Sequence, residues 1–137
     1  MDATILAACT YILWTMLLLL ALALYRNVSH MREAKKSLKY SPSGSDLGEL
    51  GQRITRAHAN CYESAVFVLG PMLLALASGS AAITNGLALY MVLARILQST
   101  VHLISTSDKA ITIRFVLFLV QFVISAYWLI MLVIKFA

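Results

Sequence analysis

The chain has 137 residues, 61% of them hydrophobic and only 12% charged, with a mean hydropathy of +0.82. A soluble domain is about 45–50% apolar and about 25% charged. A water-soluble enzyme and a disordered chain are both excluded, and the composition is that of an integral membrane protein. The net charge of +5 does not indicate a nucleic-acid binder, because seven of the eleven Lys and Arg residues lie between Arg26 and Arg56, in the one long polar stretch. A basic segment beside apolar ones marks the cytoplasmic side of a membrane.

Thr4 to Tyr25 is free of charge and long enough to cross about 30 Å of hydrocarbon at about 1.5 Å per residue. The segment lacks a basic n-region and is too long for a signal-peptide core, so a retained helix is expected over 4–25. Residues 26–56 mix charges of both signs with Ser41-Pro42-Ser43-Gly44-Ser45 and read as a flexible loop. A second helix is expected over 57–82, polar at its start and apolar from Ala65, with a kink at Pro71 of the kind membrane helices tolerate. An uncharged turn beginning at Gly79 leads to a third helix over 83–105, which contains Arg95. Thr106 to Lys109 forms a short turn before a fourth helix over 110–136.

The expected architecture is all-α: an antiparallel four-transmembrane-helix bundle forming one domain over 1–137. Both termini fall on the non-cytoplasmic side and the 26–56 loop on the cytoplasmic side. Asn27-Val28-Ser29 matches a glycosylation sequon, but on this topology it faces the cytosol. Cys9 and Cys61, each early in one of two antiparallel helices, come out near opposite faces of the bilayer. A disulfide needs Cα atoms within about 7 Å, so both read as small packing residues.

Two charges lie inside apolar helices. Arg95 has at least eleven uncharged residues on either side, and Glu63 sits about two turns into the second helix. Each costs about 2.5–3.5 kcal/mol at a helix centre, so they must be paired or solvated. At about 100° per residue, Arg53, Arg56, Asn60, Glu63 and Phe67 share one face of the second helix. Arg95, Gln98 and His102 form a stripe on the third, and Arg114, Gln121, Ser125 and Trp128 another on the fourth. His58 lies well off the second helix's stripe. Polar faces on apolar helices turn inward or toward a partner subunit. By depth these groups collect in the cytoplasmic half of the bilayer, where a cluster of arginines around one carboxylate suits an anionic ligand. The pattern fits equally a structural Arg95–Glu63 pair with Asn60 and Gln98 as interhelical hydrogen-bond partners. Arg53 and Arg56 taken alone are ordinary interfacial anchors. The three histidines have no metal-ligand spacing, and neither a Ser/His/Asp arrangement nor a Gly-rich phosphate loop occurs.

Arg53-Ile54-Thr55-Arg56-Ala57-His58-Ala59-Asn60-Cys61-Tyr62-Glu63 resembles the second-helix signature of the MAPEG family (membrane-associated proteins in eicosanoid and glutathione metabolism), Arg-Ala-x-x-Asn-x-x-Glu. Ala94-Arg95-Ile96-Leu97-Gln98 is similar to the family's third-helix motif and Asp108 to Arg114 to the start of its fourth helix. The chain as a whole is most similar to the short members often found in bacteria. The resemblance implies a homotrimer in a bacterial inner membrane or an endoplasmic-reticulum-type membrane. Glutathione would bind between adjacent subunits, with a lipophilic small-molecule substrate arriving from the lipid. By position it implies glutathione contacts at Arg56, His58, Asn60, Glu63, Arg95 and His102, a further contact at Arg26, and a thiolate-stabilising role for Arg114.

A guanidinium beside a thiol favours the thiolate, which attacks an electrophile or hydroperoxide. Ser64 stands where leukotriene-forming members have Tyr, and Phe115 where the prostaglandin-forming member has Ser. The Arg95-to-Arg114 spacing is a few residues longer than in the eicosanoid enzymes. A general glutathione transferase or peroxidase is therefore expected rather than eicosanoid synthesis. The alternative is a non-catalytic membrane module of the same fold that binds lipid or braces a partner complex.

Overall fold

A computed structural model describes residues 2–32, 37 and 39–137. It contains four helices: α1 (Ala3–Arg32), α2 (Glu49–Ala77), α3 (Ala82–Ile104) and α4 (Asp108–Phe136). All four are long and apolar enough to cross a membrane. Their outward faces are built from side chains that water would not tolerate, among them Leu13, Leu17, Leu20, Val66, Val123 and Ile134, each more than half exposed. A continuous apolar surface of this kind is a lipid-facing or subunit-facing one.

α3 is the central post, packed against each of the other three helices, whereas α1 and α4 lie on opposite flanks and do not meet. α1 and α3 start at the same end, where Thr4 Oγ1 lies 2.7 Å from Thr84 Oγ1 and donates to Asn85 Oδ1 at 2.7 Å. The C-terminus of α4 returns to this terminal end, where Lys135 Nζ donates to Ser80 Oγ at 2.7 Å. The turn there is closed by Gly79, whose φ of +64° is the left-handed conformation that ends helices and is strained for other residues. Its N–H reaches the Leu76 carbonyl at 3.1 Å, and Ser78 N reaches Leu74 O at 3.0 Å. α2 therefore stops at Ala77 rather than at 82.

The core is a mid-bundle cluster of Tyr11, Val68, Met72, Met91, Ile124 and Trp128 interleaved with Ala7, Ala8 and Ala88. Small residues on α1 and α3 let the helix backbones approach, as packing within a bilayer requires. α2 continues as helix through Pro71. Proline has no N–H to offer the carbonyl four residues earlier, and that carbonyl, Phe67 O, accepts instead from Ser125 Oγ of α4 at 2.5 Å. A defect in one helix thus becomes a cross-link to another.

The loop end departs most from expectation. Residues 26–56 are not one flexible loop: α1 continues to Arg32 and α2 begins at Glu49, so both helices project charged turns beyond their apolar spans. Glu49 in the first turn of α2 complements the helix dipole. The described part of the connection, residues 40–47, is docked. Ser41 N donates to Asp46 Oδ2 at 2.9 Å, and Gly44 takes φ +72°, where a side chain would collide with Thr55. Leu47 is buried with Leu22 and Ile54, and Tyr25 and Tyr40 pack against them. One isolated leucine carries little periodic signal, yet it anchors the segment.

Candidate functional site: an arginine-lined cleft between α2 and α4

α4 packs closely on α3 and only sparsely on α2, which opens a cleft toward the loop end. Its inner lobe, about 400 Å³, is lined by Arg56, Asn60, Gln98, His102, Ile111, Arg114, Phe115 and Phe118. Its outer lobe, about 380 Å³, adds Glu49, Gln52, Arg53 and Thr106 and shares Arg56, Ile111 and Arg114. Three guanidiniums against the single carboxylate of Glu49 make the lining net positive. Phe118 of the inner lobe meets Phe67 edge to face at 5.9 Å.

Each polar side chain reaches the cleft for a local reason. Arg53, Arg56 and Asn60 recur every three or four residues along α2 and so share a face. His102 sits in the last turn of α3 and Arg114 in the second turn of α4. The short turn between them is capped by Ser107, whose side chain accepts from Ala110 N. Arg114 Nη1 lies 2.8 Å from His102 Nδ1. Deeper in, Gln121 Nε2 donates to Gln98 Oε1 at 2.9 Å, with both residues buried.

Arg95 is 1% exposed, yet it does not pair with Glu63. Its Nη1 donates to Asn60 Oδ1 at 2.5 Å and to Asn60 O at 3.4 Å. Glu63, one turn further along α2, is exposed on the outside of the bundle. The two residues share a face of α2, but only Asn60 faces the α2–α3 seam closely enough to receive a guanidinium. Arg95 Nε and Nη2 are buried without a hydrogen-bond partner among the described residues, as is Arg53 Nε. Around Arg95 the three-helix seam is polar. Tyr11 OH donates to Cys61 O at 2.5 Å, and Cys61 Sγ lies 3.1 Å from Ser99 Oγ. Both cysteines are free, with Cys9 exposed and Cys61 buried.

The remaining candidates lie elsewhere. His58 is on the α1-facing flank of α2, within electrostatic reach of Arg26. Arg26 itself turns to the docked loop: Nη2 donates to Ser41 O at 3.4 Å, the guanidinium lies 5.7 Å from the Tyr40 ring centre, and Tyr40 OH donates to Arg26 O at 2.9 Å. Within one chain the structure thus gathers Arg56, Asn60, His102 and Arg114 at the cleft, with Arg95 just behind Asn60. Arg26 and His58 are on the far side of α2. Sequence periodicity did not single out Gln52, Thr106 and Ile111, since polar residues at a helix end and an isoleucine in an apolar run carry no distinguishing signal. Tyr11 and Ser99 likewise look like ordinary members of apolar helices.

Such a bundle, with a positively charged cleft opening between two of its spans, is that of a multi-pass membrane protein. The model of the MAPEG family matches residues 4–134, nearly the whole chain, and the chain belongs to that family. Membership supports, in general terms, a membrane role in glutathione-dependent transferase or peroxidase chemistry or a related one. No curated protein and no solved structure matches the chain significantly.

Proposed function

We propose that this protein is a membrane-bound glutathione transferase or peroxidase acting on lipophilic electrophiles, with glutathione held in the α2–α4 cleft. The observation that carries this reading is the lining of the cleft: Arg53, Arg56 and Arg114 against one carboxylate, beside Asn60 and His102. The residues suit this ligand. Glutathione carries two carboxylates, and guanidiniums bind carboxylates through paired N–H donors. Arg53, which lines the outer lobe, keeps a buried Nε without a partner among the described residues, and a buried unsatisfied donor costs about 1–3 kcal/mol. When bound, glutathione supplies a thiol whose thiolate is the nucleophile.

The chain's own residues divide the remaining work. Arg53 and Arg56 hold carboxylate charge at the mouth of the cleft. Arg95 braces Asn60 from behind the inner lobe, and Arg114 stabilises negative charge on sulfur. Phe115 and Phe118 face the apolar partner. Arg26, His58 and Glu63 fit this scheme if a second copy abuts the first. The cleft opens on one flank of α2 while Arg26 and His58 lie on the other, and a closed ring of three copies brings one flank of each subunit against the opposite flank of the next. We place the loop end in the cytoplasm, from its basic charge.

The test is thermal unfolding of the purified protein in detergent, with and without millimolar glutathione. Ligand at about 100 times its dissociation constant adds about 2.7 kcal/mol, a shift that should be plain in the wild type and small in Arg56→Ala. Arg114→Ala should retain binding and lose conjugation. If saturating glutathione leaves the unfolding temperature unchanged, the transferase reading fails and a non-catalytic role on the same fold takes its place.

A further inference from the structure

We propose that His102 is the positioning residue for Arg114, fixing its guanidinium by accepting at Nδ1 as a neutral imidazole in a single tautomer. This rests on the reading of the cleft as a thiolate site and adds the device that aims its cation. Arginine has five N–H donors and no acceptor. The 2.8 Å contact between Arg114 Nη1 and His102 Nδ1 therefore has one polarity: the guanidinium donates, Nδ1 accepts, and the ring proton sits on Nε2. A doubly protonated ring would have no lone pair to offer.

The geometry favours aiming rather than mere packing. Arg114 is half-buried and lines both lobes of the cleft, so without an acceptor its long side chain would sample several rotamers. His102 belongs to the last turn of α3, and the two residues are joined through the turn at Ser105–Ser107. That turn is itself braced by Ser107 N donating to Ser105 Oγ at 3.2 Å and by Ala110 N donating to Ser107 Oγ at 3.3 Å. One N–H of Arg114 is spent on the ring and the other four remain for the ligand. A cation fixed before the ligand arrives needs no reorganisation when charge develops on sulfur, and misplacement by about 1 Å can cost about 100-fold in rate.

Two readouts on the full-length protein in detergent test this. Ring-nitrogen NMR of isotope-labelled histidine should show His102 with Nδ1 unprotonated and hydrogen-bonded, and Arg114→Ala should shift that resonance. In kinetics with glutathione and a chlorodinitrobenzene, His102→Leu should lower kcat by about 100-fold with little change in the KM for glutathione, and should lose the ultraviolet thiolate band of the bound tripeptide. His102→Asn, which places an amide oxygen near the Nδ1 position, should restore most of both. His102→Gln, which places its amide near Nε2, should not. A His102 protonated at Nδ1, or indifferent to Arg114→Ala, overturns the pairing whatever glutathione does. A His102→Leu variant that keeps kcat and the thiolate band, or Asn and Gln variants that behave alike, overturns the positioning role. If the wild type fails to bind glutathione while the NMR signature is intact, the proposed function has failed and the aiming role fails with it.

Discussion

The two ends of the bundle use buried polarity in opposite ways. At the terminal end, Thr4, Thr84, Asn85, Ser80 and Lys135 all find partners within the chain, and the Thr4–Thr84 contact is fully buried. At the loop end, Arg26, Arg53 and Arg95 each carry at least one buried guanidinium nitrogen without a partner among the described residues, and Arg114 is met there by the ring of His102. Both ends are expensive to bury in a bilayer, but one offsets the cost internally and the other does not. Saturated hydrogen bonding clamps helices together. Unsaturated positive charge is what the proposed ligand site would draw on, so the contrast marks the loop end as the place to test it.

The strongest way to break that contrast acts on the loop end. Removing the Arg114 guanidinium should lower conjugation by about 100-fold or more while the protein stays folded, since the residue contributes little to the core. Arg26→Ala should also lower activity, though Arg26 lies across α2 from the cleft. If the two residues serve one site between neighbouring copies, coexpressing Arg26→Ala with Arg114→Ala restores activity, because random assembly into a closed ring leaves about one site in four with both arginines. No recovery, or full activity of Arg26→Ala alone, sinks the intersubunit site.

Stability provides the next comparison. Asn60→Leu removes the 2.5 Å side-chain acceptor of the Arg95 guanidinium and leaves only the longer contact to the residue's own backbone carbonyl. A hydrogen bond to a charged group is worth about 1.5–3 kcal/mol, so a marked fall in unfolding temperature is expected. Thr84→Val at the terminal end breaks a neutral contact and should cost about 1 kcal/mol. Millimolar glutathione should recover part of the first loss and none of the second, and equal rescue of both variants would erase the distinction between the ends.

Much of this was legible in the sequence, for reasons of period and charge. Uncharged runs set four spans, and the every-third-or-fourth recurrence of Arg53, Arg56 and Asn60, or of Arg95, Gln98 and His102, marked the polar helix faces, although Arg56 on the first of them is exposed within one chain. What the sequence did not reveal is which of two residues on one face makes the contact. Asn60 and Glu63 are one turn apart and periodicity treats them alike, yet packing gives Arg95 to the amide and leaves the carboxylate outside. The His102–Arg114 contact spans a turn whose geometry no helical period describes. The docked loop hangs on Leu47 and Gly44, single residues in a stretch whose composition reads as flexible.

The smallest expected effect concerns the joint between the two halves of the comparison, where α4 is tied to α2 at mid-depth. Pro71 leaves Phe67 O without its helical donor, and Ser125 Oγ supplies one. Ser125→Ala should therefore orphan a part-buried carbonyl and destabilise the protein by about 1 kcal/mol or less. Pro71→Ala returns an N–H to α2, so in that background the same Ser125→Ala change should cost much less, and a double-mutant cycle in unfolding free energy should show coupling of about 1 kcal/mol. Additive losses would mean the serine packs against α2 rather than repairing it. Coupling would show that the α2–α4 contact below the cleft is held by a proline-made acceptor, and hence that the cleft above it is open because the helices are pinned there and not higher.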